Sequence, residues 1–280
     1  MAHTSALNRL LLHAVIIVIG LFMLYPIIWL ISSSFKPSQL IFTDLSLWPK
    51  AATLNNYIAG WSGISRVKFS TFLINSLIVS ALCVLGNLAS CSMAAYAFGR
   101  LDFNLKKLWF AIMLVTIMLP HHVTIIPQYI LFKQLNWIDT YYPLTIPKWL
   151  ATDAFFIFLM VQFIRGLPKE LDESATIDGC GQVQIFCRII LPLAVPALIT
   201  TGIFTFLWTW DDFFSQLLYI NTAKLYTIPL GLRLFMDSSG DSNWGAMFAM
   251  SVLSLVPSLV IFFSCQKYFV EGISTSGIKG

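Results

Sequence analysis

The sequence predicts an all-α polytopic membrane protein with six transmembrane helices. Three observations predict it. Hydrophobic residues make up 58% of the 280 residues, and charged residues only 11%. A soluble domain carries roughly 25% charged residues. The mean hydropathy is +0.79. Apolar runs recur at the length of about 20 residues that a helix needs to cross a bilayer. Strand-sized alternating segments, the signature of a membrane barrel, are absent from the pattern.

The predicted spans are about 10–34, 72–98, 105–131, 149–165, 193–220 and 244–268, within a single transmembrane domain over 1–280. The first has an apolar part longer than a signal-peptide core, and no small-x-small cleavage site follows, so it reads as an uncleaved span. The second carries a stripe of Ser76, Ser80, Cys83, Asn87, Ser90 or Cys91, and Ala94. Small, weakly polar residues at this spacing point to helix–helix packing, with pore lining as the alternative. In the third, Pro120 precedes His121 and His122, which read as interface or kink residues because no acid or cysteine stands beside them at ligand spacing. Pro120, Pro127 and Pro257 interrupt spans three and six and offer kinks. The clean core of the fourth span, Ala154–Ile164, is too short to cross alone and borrows from 144–152.

Orientation follows from the shortest loop. "RLDFNLKK", residues 100–107, holds three basic residues in eight and belongs inside by the positive-inside rule. The overall basic count, nine inside against eight outside, decides little. Six spans then put both termini and the segment 168–192 on the cytoplasmic side. The net charge of +4 suits membrane-facing loops and not nucleic acid. The five cysteines form no CxxC, and none lies in an outer loop. No catalytic set and no metal site emerge from the pattern.

The segment 168–192 is the polar interruption of this apolar chain. Four acids, Glu170, Asp172, Glu173 and Asp178, fall within nine residues. Pro168 suits the first turn of a helix, and the acids cluster near the positive end of its dipole. Gly179 suits the left-handed position that ends it. "GQVQIFCRII" makes a second short helix, with Gln182, Ile185 or Phe186, and Ile189 on one face. Pro192 and Pro196 mark the return to the membrane. The pattern is a helix–turn–helix bracket. Glu173 and Asp178 are open to salt bridges or helix capping within the chain.

Span five carries the intramembrane charges. Asp211 and Asp212 are functional candidates because a charge in a span is costly. Trp208, Asp212, Ser215 and Tyr219 recur at 3–4 spacing, and Trp210 lies between. Aromatic faces with polar neighbours suit a sugar, and equally suit an interfacial aromatic belt.

"ESATIDGCGQVQIFCRIILPLAVPAL" resembles the EAA-type loop of ATP-binding-cassette importer permeases. Glu173-Ser174-Ala175 stands for Glu-Ala-Ala, Gly179 for the glycine, and Ile190-Leu191-Pro192 for the hydrophobic-Leu-Pro end. Ser174 departs from the usual alanine and is still small. "TWDDFFSQLLYI", "YTIPLGL", "TIIPQYILFKQLNWIDTYYPL" and the tail "YFVEGISTSGIKG" are similar to segments of the carbohydrate-importer branch. "SSFKPS" follows the first span. The family usually has Asn where Asp211 stands.

The resemblance, to the second inner-membrane subunit of maltose-type importers, implies a type I importer permease fold. It implies a cytoplasmic coupling loop, 168–192, seated on an ATPase through Glu173, Ser174, Ala175, Asp178, Gly179, Phe186 and Pro192. The substrate-path candidates are Trp208, Trp210, Asp211, Asp212, Ser215 and Tyr219. It implies a second homologous permease subunit, two ATPase subunits, an extracytoplasmic sugar-binding protein and a bacterial inner membrane. No P-loop is present, so ATP and Mg belong to the partner and this chain binds no cofactor. The expected cargo is a neutral or mildly acidic sugar, with uronic-acid oligomers open. The alternatives are a gradient-driven secondary transporter using Asp211 and Asp212, and a membrane scaffold or membrane part of an enzyme.

Overall fold

In a bilayer no water satisfies the backbone, so apolar runs close their hydrogen bonds internally as helices. The computed structural model describes the backbone of residues 6–64, 66–237 and 243–277, and the side chains of these except 6–7, 121–122, 237 and 268–277. The side chains of His121 and His122, and those of the tail motif from Tyr268, therefore lie outside the described residues. Among the described residues the chain is helical, with one isolated bridge, Ile64 to Val67.

Two compact units are formed. One comprises Met1–Ser70 and Gly231–Val256, the other Thr71–Leu230 and Pro257–Gly280. In the first, α1 (Ala6–Ser34) precedes a short turn at Ser38–Leu40 and α2 (Asn55–Ser62). Its apolar stretch, Asn8–Ser34, has the length and hydropathy of a span, and none of its most apolar window is buried within the chain. The "SSFKPS" segment is pinned by Lys36, only 1% exposed, whose ammonium donates to the carbonyls of Asp44 at 2.7 Å and Ser46 at 2.6 Å. A charged amine in such a setting is tolerated because carbonyl oxygens replace its water. Asn56 donates to the Ser34 and Lys36 carbonyls, closing the loop on α2.

Helix α3 (Phe69–Arg100) runs 32 residues, with Arg100 in its last turn to complement the negative end of the dipole. Its small-residue stripe is sealed inside the second unit: Cys83 and Asn87 are fully buried, Ser76 and Ser80 nearly so. Packing, not pore lining, is what these residues do. Ser76 Oγ accepts the Ile228 N–H at 2.8 Å, and the Cys83 thiol donates to the Leu144 carbonyl at 3.2 Å. Gly86 is required by close approach, since a Cβ there would stand 2.6 Å from the Trp149 ring.

The segment predicted as a single third span is divided into α4 (Lys106–Ile117) and α5 (His121–Gln134). Pro120 adopts an extended conformation at the division. Proline restricts the residue before it and cannot donate to the preceding turn, so the ladder stops there. Pro127 and Pro257, by contrast, lie within continuous helices. The fourth segment borrows as the sequence suggests: α6 (Tyr142–Trp149) and α7 (Ala154–Gly166) together make a 25-residue stretch of span character. They are joined at 150–153, where Ala151 takes φ +55°.

After α7 comes α8 (Glu170–Ile177), then α9 (Gln182–Ile185), a π turn at Phe186–Ile190 and α10 (Leu191–Leu193). The chain bends by 76° into α11 (Val195–Trp210). Pro192 and Pro196 flank the bend. Then follow α12 (Phe214–Tyr219), a short turn at Ala223–Leu225, α13 (Ile228–Asp237) and α14 (Trp244–Gly277). The sixth predicted span thus falls within α14, and the fifth is not one helix but α11 and α12, parted at 211–213. Among the described residues four helical segments have the length and apolarity to cross a bilayer, and the bent pair makes a fifth.

Candidate functional site

Two features of the second unit carry the predicted site residues. The first is the bracket. Its acids occupy the first turn of α8, as the dipole favours: Glu170, Asp172 and Glu173. Lys169 is the N-cap, which leaves Pro168 one position before the cap and not in the first turn. Gly179 takes φ +81°, a left-handed turn that glycine adopts without the Cβ penalty. The Gly181 N–H then donates to Gln184 Oε1 at 2.9 Å and opens α9.

The root of the bracket is sealed. Ala175, Ile185 and Ile190 are buried with Cys91, Ala95 and Tyr96 of α3 and Phe156, Met160 and Ile164 of α7. Tyr96 donates to Gln182 Oε1 at 2.7 Å, and its ring packs on Phe186 at 5.2 Å. Phe186 is thus half-buried against the chain's own core. Among the described residues the ion pair at the root is Asp172 with Arg100, Oδ2 to Nε 3.2 Å, not one made by Glu173 or Asp178. Arg100 Nη2 also donates to the Leu167 carbonyl at 2.8 Å. Glu173, Ser174, Asp178 and Gly179 are exposed, as are two apolar side chains the sequence reading passed over, Ile177 (86%) and Val183 (75%). They flank Gly179 in sequence at the tip of the bracket. Isolated apolar residues beside a predicted glycine turn were the available signal.

The second feature is a cavity of about 640 Å³. It is lined by Trp208, Asp211, Asp212, Ser215 and Tyr219, five of the six substrate-path candidates. They converge although the helix that was to align them is broken at 211–213. The sixth, Trp210, does not line it. It is 2% exposed and stacks on Phe206 at 5.1 Å. Two residues along a helix is about 200° of rotation, so Trp208 and Trp210 face opposite ways. Trp208 presents its ring, 54% exposed, with Phe156 behind it at 5.1 Å.

A polar network ties Lys148, Asp153 and Thr205 of the cavity wall, none of them among the predicted candidates, to Asn87 and Ser90 of the α3 stripe packed behind it. Lys148 Nζ lies 2.8 Å from Asp153 Oδ2. Asn87 Nδ2 donates to the same oxygen at 2.6 Å and to Thr205 Oγ1 at 3.0 Å. Ser90 Oγ donates to the Lys148 carbonyl at 2.7 Å. The break between α6 and α7 makes this possible, because it turns Lys148 and Asp153 toward each other. Irregular backbone at membrane depth is tolerated where it lines a cavity or is buried in protein.

Comparison with known proteins places these features in a family. The profile of the "binding-protein-dependent transport system inner membrane component" matches residues 86–275, which include the bracket and every cavity-lining residue but Val79. The chain is 32% identical over 276 residues to the trehalose/maltose transport system permease protein MalG of Thermococcus litoralis, with 99% of each chain covered. It is 31% identical over 268 residues to the diacetylchitobiose uptake system permease protein DasC of Streptomyces coelicolor, with 95% of each covered. It is similar in fold, at TM-score 0.83 and 21% identity, to a chain in the crystal structure of a bacterial ABC transporter involved in the import of the acidic polysaccharide alginate, over 96% of this chain and 100% of that one. With a family profile over 86–275 and full-length relatives of this identity, the chain belongs to the binding-protein-dependent transport system inner membrane components, as a sugar-type ABC transporter permease.

Proposed function

We propose that this chain is the permease subunit of an ATP-driven, binding-protein-dependent importer of carbohydrate, oligosaccharide in particular. It forms half of the translocation path beside a second, homologous permease. Two ATPase subunits hydrolyse ATP, and an extracytoplasmic sugar-binding protein delivers the cargo. Relatives named for trehalose and maltose and for diacetylchitobiose support the sugar class. Both termini and the bracket are cytoplasmic, with 105–131 crossing as a broken span.

The observation that carries the reading is the build of the bracket. Its root is locked into α3 and α7, while its tip offers Ile177 and Val183 to water. Exposed apolar side chains on a rigid support suit a protein partner. A bracket so anchored passes a rigid-body movement to the spans, which a loose loop would absorb. Glu173, Ser174, Asp178 and Gly179 are the polar and small surface around that tip; Ala175 and Pro192 act from the root and the bend.

The test is reconstitution. The chain is purified with its copurifying subunits, placed in nanodiscs, and assayed for ATP hydrolysis with and without sugar-loaded binding protein. Stimulated hydrolysis, lost in Gly179→Pro and Glu173→Lys while the spans stay folded, is expected. A complex without ATPase that takes up sugar on an ion gradient would instead establish the secondary-transporter reading through Asp211 and Asp212.

A further inference from the structure

The cavity has a charge and hydrogen-bond pattern that the coupling role does not use. Its walls carry three carboxylates, Asp153, Asp211 and Asp212, against one ammonium, Lys148, a formal balance of −2 (one minus three). Lys148 is already engaged by Asp153, so it is poorly placed to neutralise an incoming anion. Asp212 uses one oxygen to accept the Ser215 N–H at 3.0 Å, which opens α12. Asp211 is exposed.

A second observation points to a ligand. Gln216 lines the cavity and is only 2% exposed, yet its Oε1 accepts no hydrogen bond among the described residues. A buried acceptor without a donor is costly. The wall is therefore rich in acceptors. Hydroxyl and ammonium groups bring donors to it, whereas a carboxylate or phosphate brings only acceptors and like charge. Trp208 adds an apolar face for the C–H side of a sugar ring.

We infer that this cavity is a charge-selecting sugar subsite, which admits neutral or amino-bearing sugars and rejects uronates and sugar phosphates. The inference rests on the import reading for its ligand class. It gives this chain a share of specificity in addition to that of a binding protein.

The test reads the cavity itself. Ser215→Cys is introduced in the assembled complex, and its rate of modification by a cationic and an anionic methanethiosulfonate reagent is measured. The unmutated chain supplies the background from the native thiols, of which Cys83 and Cys91 are buried. Rates are normalised to a free thiol in solution. A cleft lined by one sign of charge shifts local ion concentration by about tenfold or more. The normalised rate is expected to favour the cation by that order, and to lose the preference in Asp211→Asn/Asp212→Asn. Maltotriose and deacetylated chitotriose are expected to protect the thiol, and trigalacturonate is not. If Ser215→Cys does not fold, Thr209→Cys reads the same wall.

Equal rates, a preference for the anion, protection by trigalacturonate or protection by none of the three sugars would each overturn the inference. Binding-protein-stimulated ATP hydrolysis is scored in the same preparation. Hydrolysis without charge preference overturns selectivity alone. Preference and protection without hydrolysis sustain the subsite and overturn import.

Discussion

Asp153 and Lys148 meet at 2.8 Å across the break between α6 and α7, with Asn87 of α3 donating to the same carboxylate oxygen. The two side chains are 24% and 29% exposed, so the pair is partly screened. Removing one member strands the other in a poorly solvated wall. Asp153→Ala is expected to cost about 2–3 kcal/mol of stability, the range of a lost charge-assisted hydrogen bond. The double variant Lys148→Met/Asp153→Leu should cost less than the sum of its single changes, by about 1 kcal/mol or more. Denaturant unfolding of the four proteins in one detergent gives the cycle. Strict additivity would mean the two residues act independently.

A second pair ties the bracket to the membrane domain. Arg100 ends α3, is 3% exposed at its side chain, and holds both Asp172 and the Leu167 carbonyl. Arg100→Ala removes all of these contacts at once. Stimulation of ATP hydrolysis by sugar-loaded binding protein should fall about tenfold, since 1.4 kcal/mol is a factor of ten and one such bond is worth about that or more. Cleavage of 168–181 by an added protease should rise in parallel. Asp172→Asn leaves the carbonyl contact and should be milder. Full stimulation in Arg100→Ala would remove this residue from coupling.

Gly179 separates backbone strain from crowding. A Cβ at this position meets nothing within 4 Å, so only its φ of +81° opposes a side chain. Gly179→Ala should cost about 1 kcal/mol, the ordinary penalty of the left-handed region. Gly179→Asn should cost less, because asparagine tolerates that region. The ordering Gly, Asn, Ala in bracket stability, read by hydrogen exchange over 170–185, is the expected result. Equal loss in both variants would point to a contact with a partner at the glycine.

Much of this was legible from composition and spacing. Hydropathy alone located the apolar segments, and Gly179 after an acid-led helix announced a left-handed turn. The Lys148–Asp153 pair was not legible, because its geometry depends on Ala151 at φ +55°, and alanine carries no local signal for that conformation. The choice of Asp172 over Glu173 or Asp178 as the partner of Arg100 depends on the rotation of α8. That rotation is set by burial of Ala175 against distant helices, a tertiary contact. The exclusion of Trp210 from the cavity, in contrast, could have been read from helical rotation. Division of the third segment at Pro120 was foreshadowed by the proline, though Pro127 and Pro257 show that proline alone does not decide.

Asp139 provides a pH-dependent clamp near the cavity. Its Oδ2 accepts the Thr222 hydroxyl at 2.5 Å, and its Oδ1 accepts the N–H groups of Thr222 at 2.8 Å and Asn221 at 2.9 Å. Its own N–H donates to the carbonyl of Tyr219, a cavity residue, at 2.8 Å. The Thr222 hydroxyl, then the Thr222 amide, hold the Asp139 carboxyl below the usual carboxylate range. A depressed folded value means the unfolded chain takes up the proton first as pH falls. The stabilisation is therefore complete above the unfolded value, near 3.9, and is lost as pH falls through the lower folded value. Asp139→Asn should lower stability at neutral pH by about 1 kcal/mol, the scale of a lost capping carboxylate. The gap from the parent protein should close below about pH 4. Asp44, held down mainly by the Ser46 hydroxyl, titrates in the same direction, so the difference between parent and variant is the quantity to read. Unfolding in denaturant across acid and neutral pH measures it. A gap that stays constant through acid would show that the clamp does not depend on the charge of Asp139.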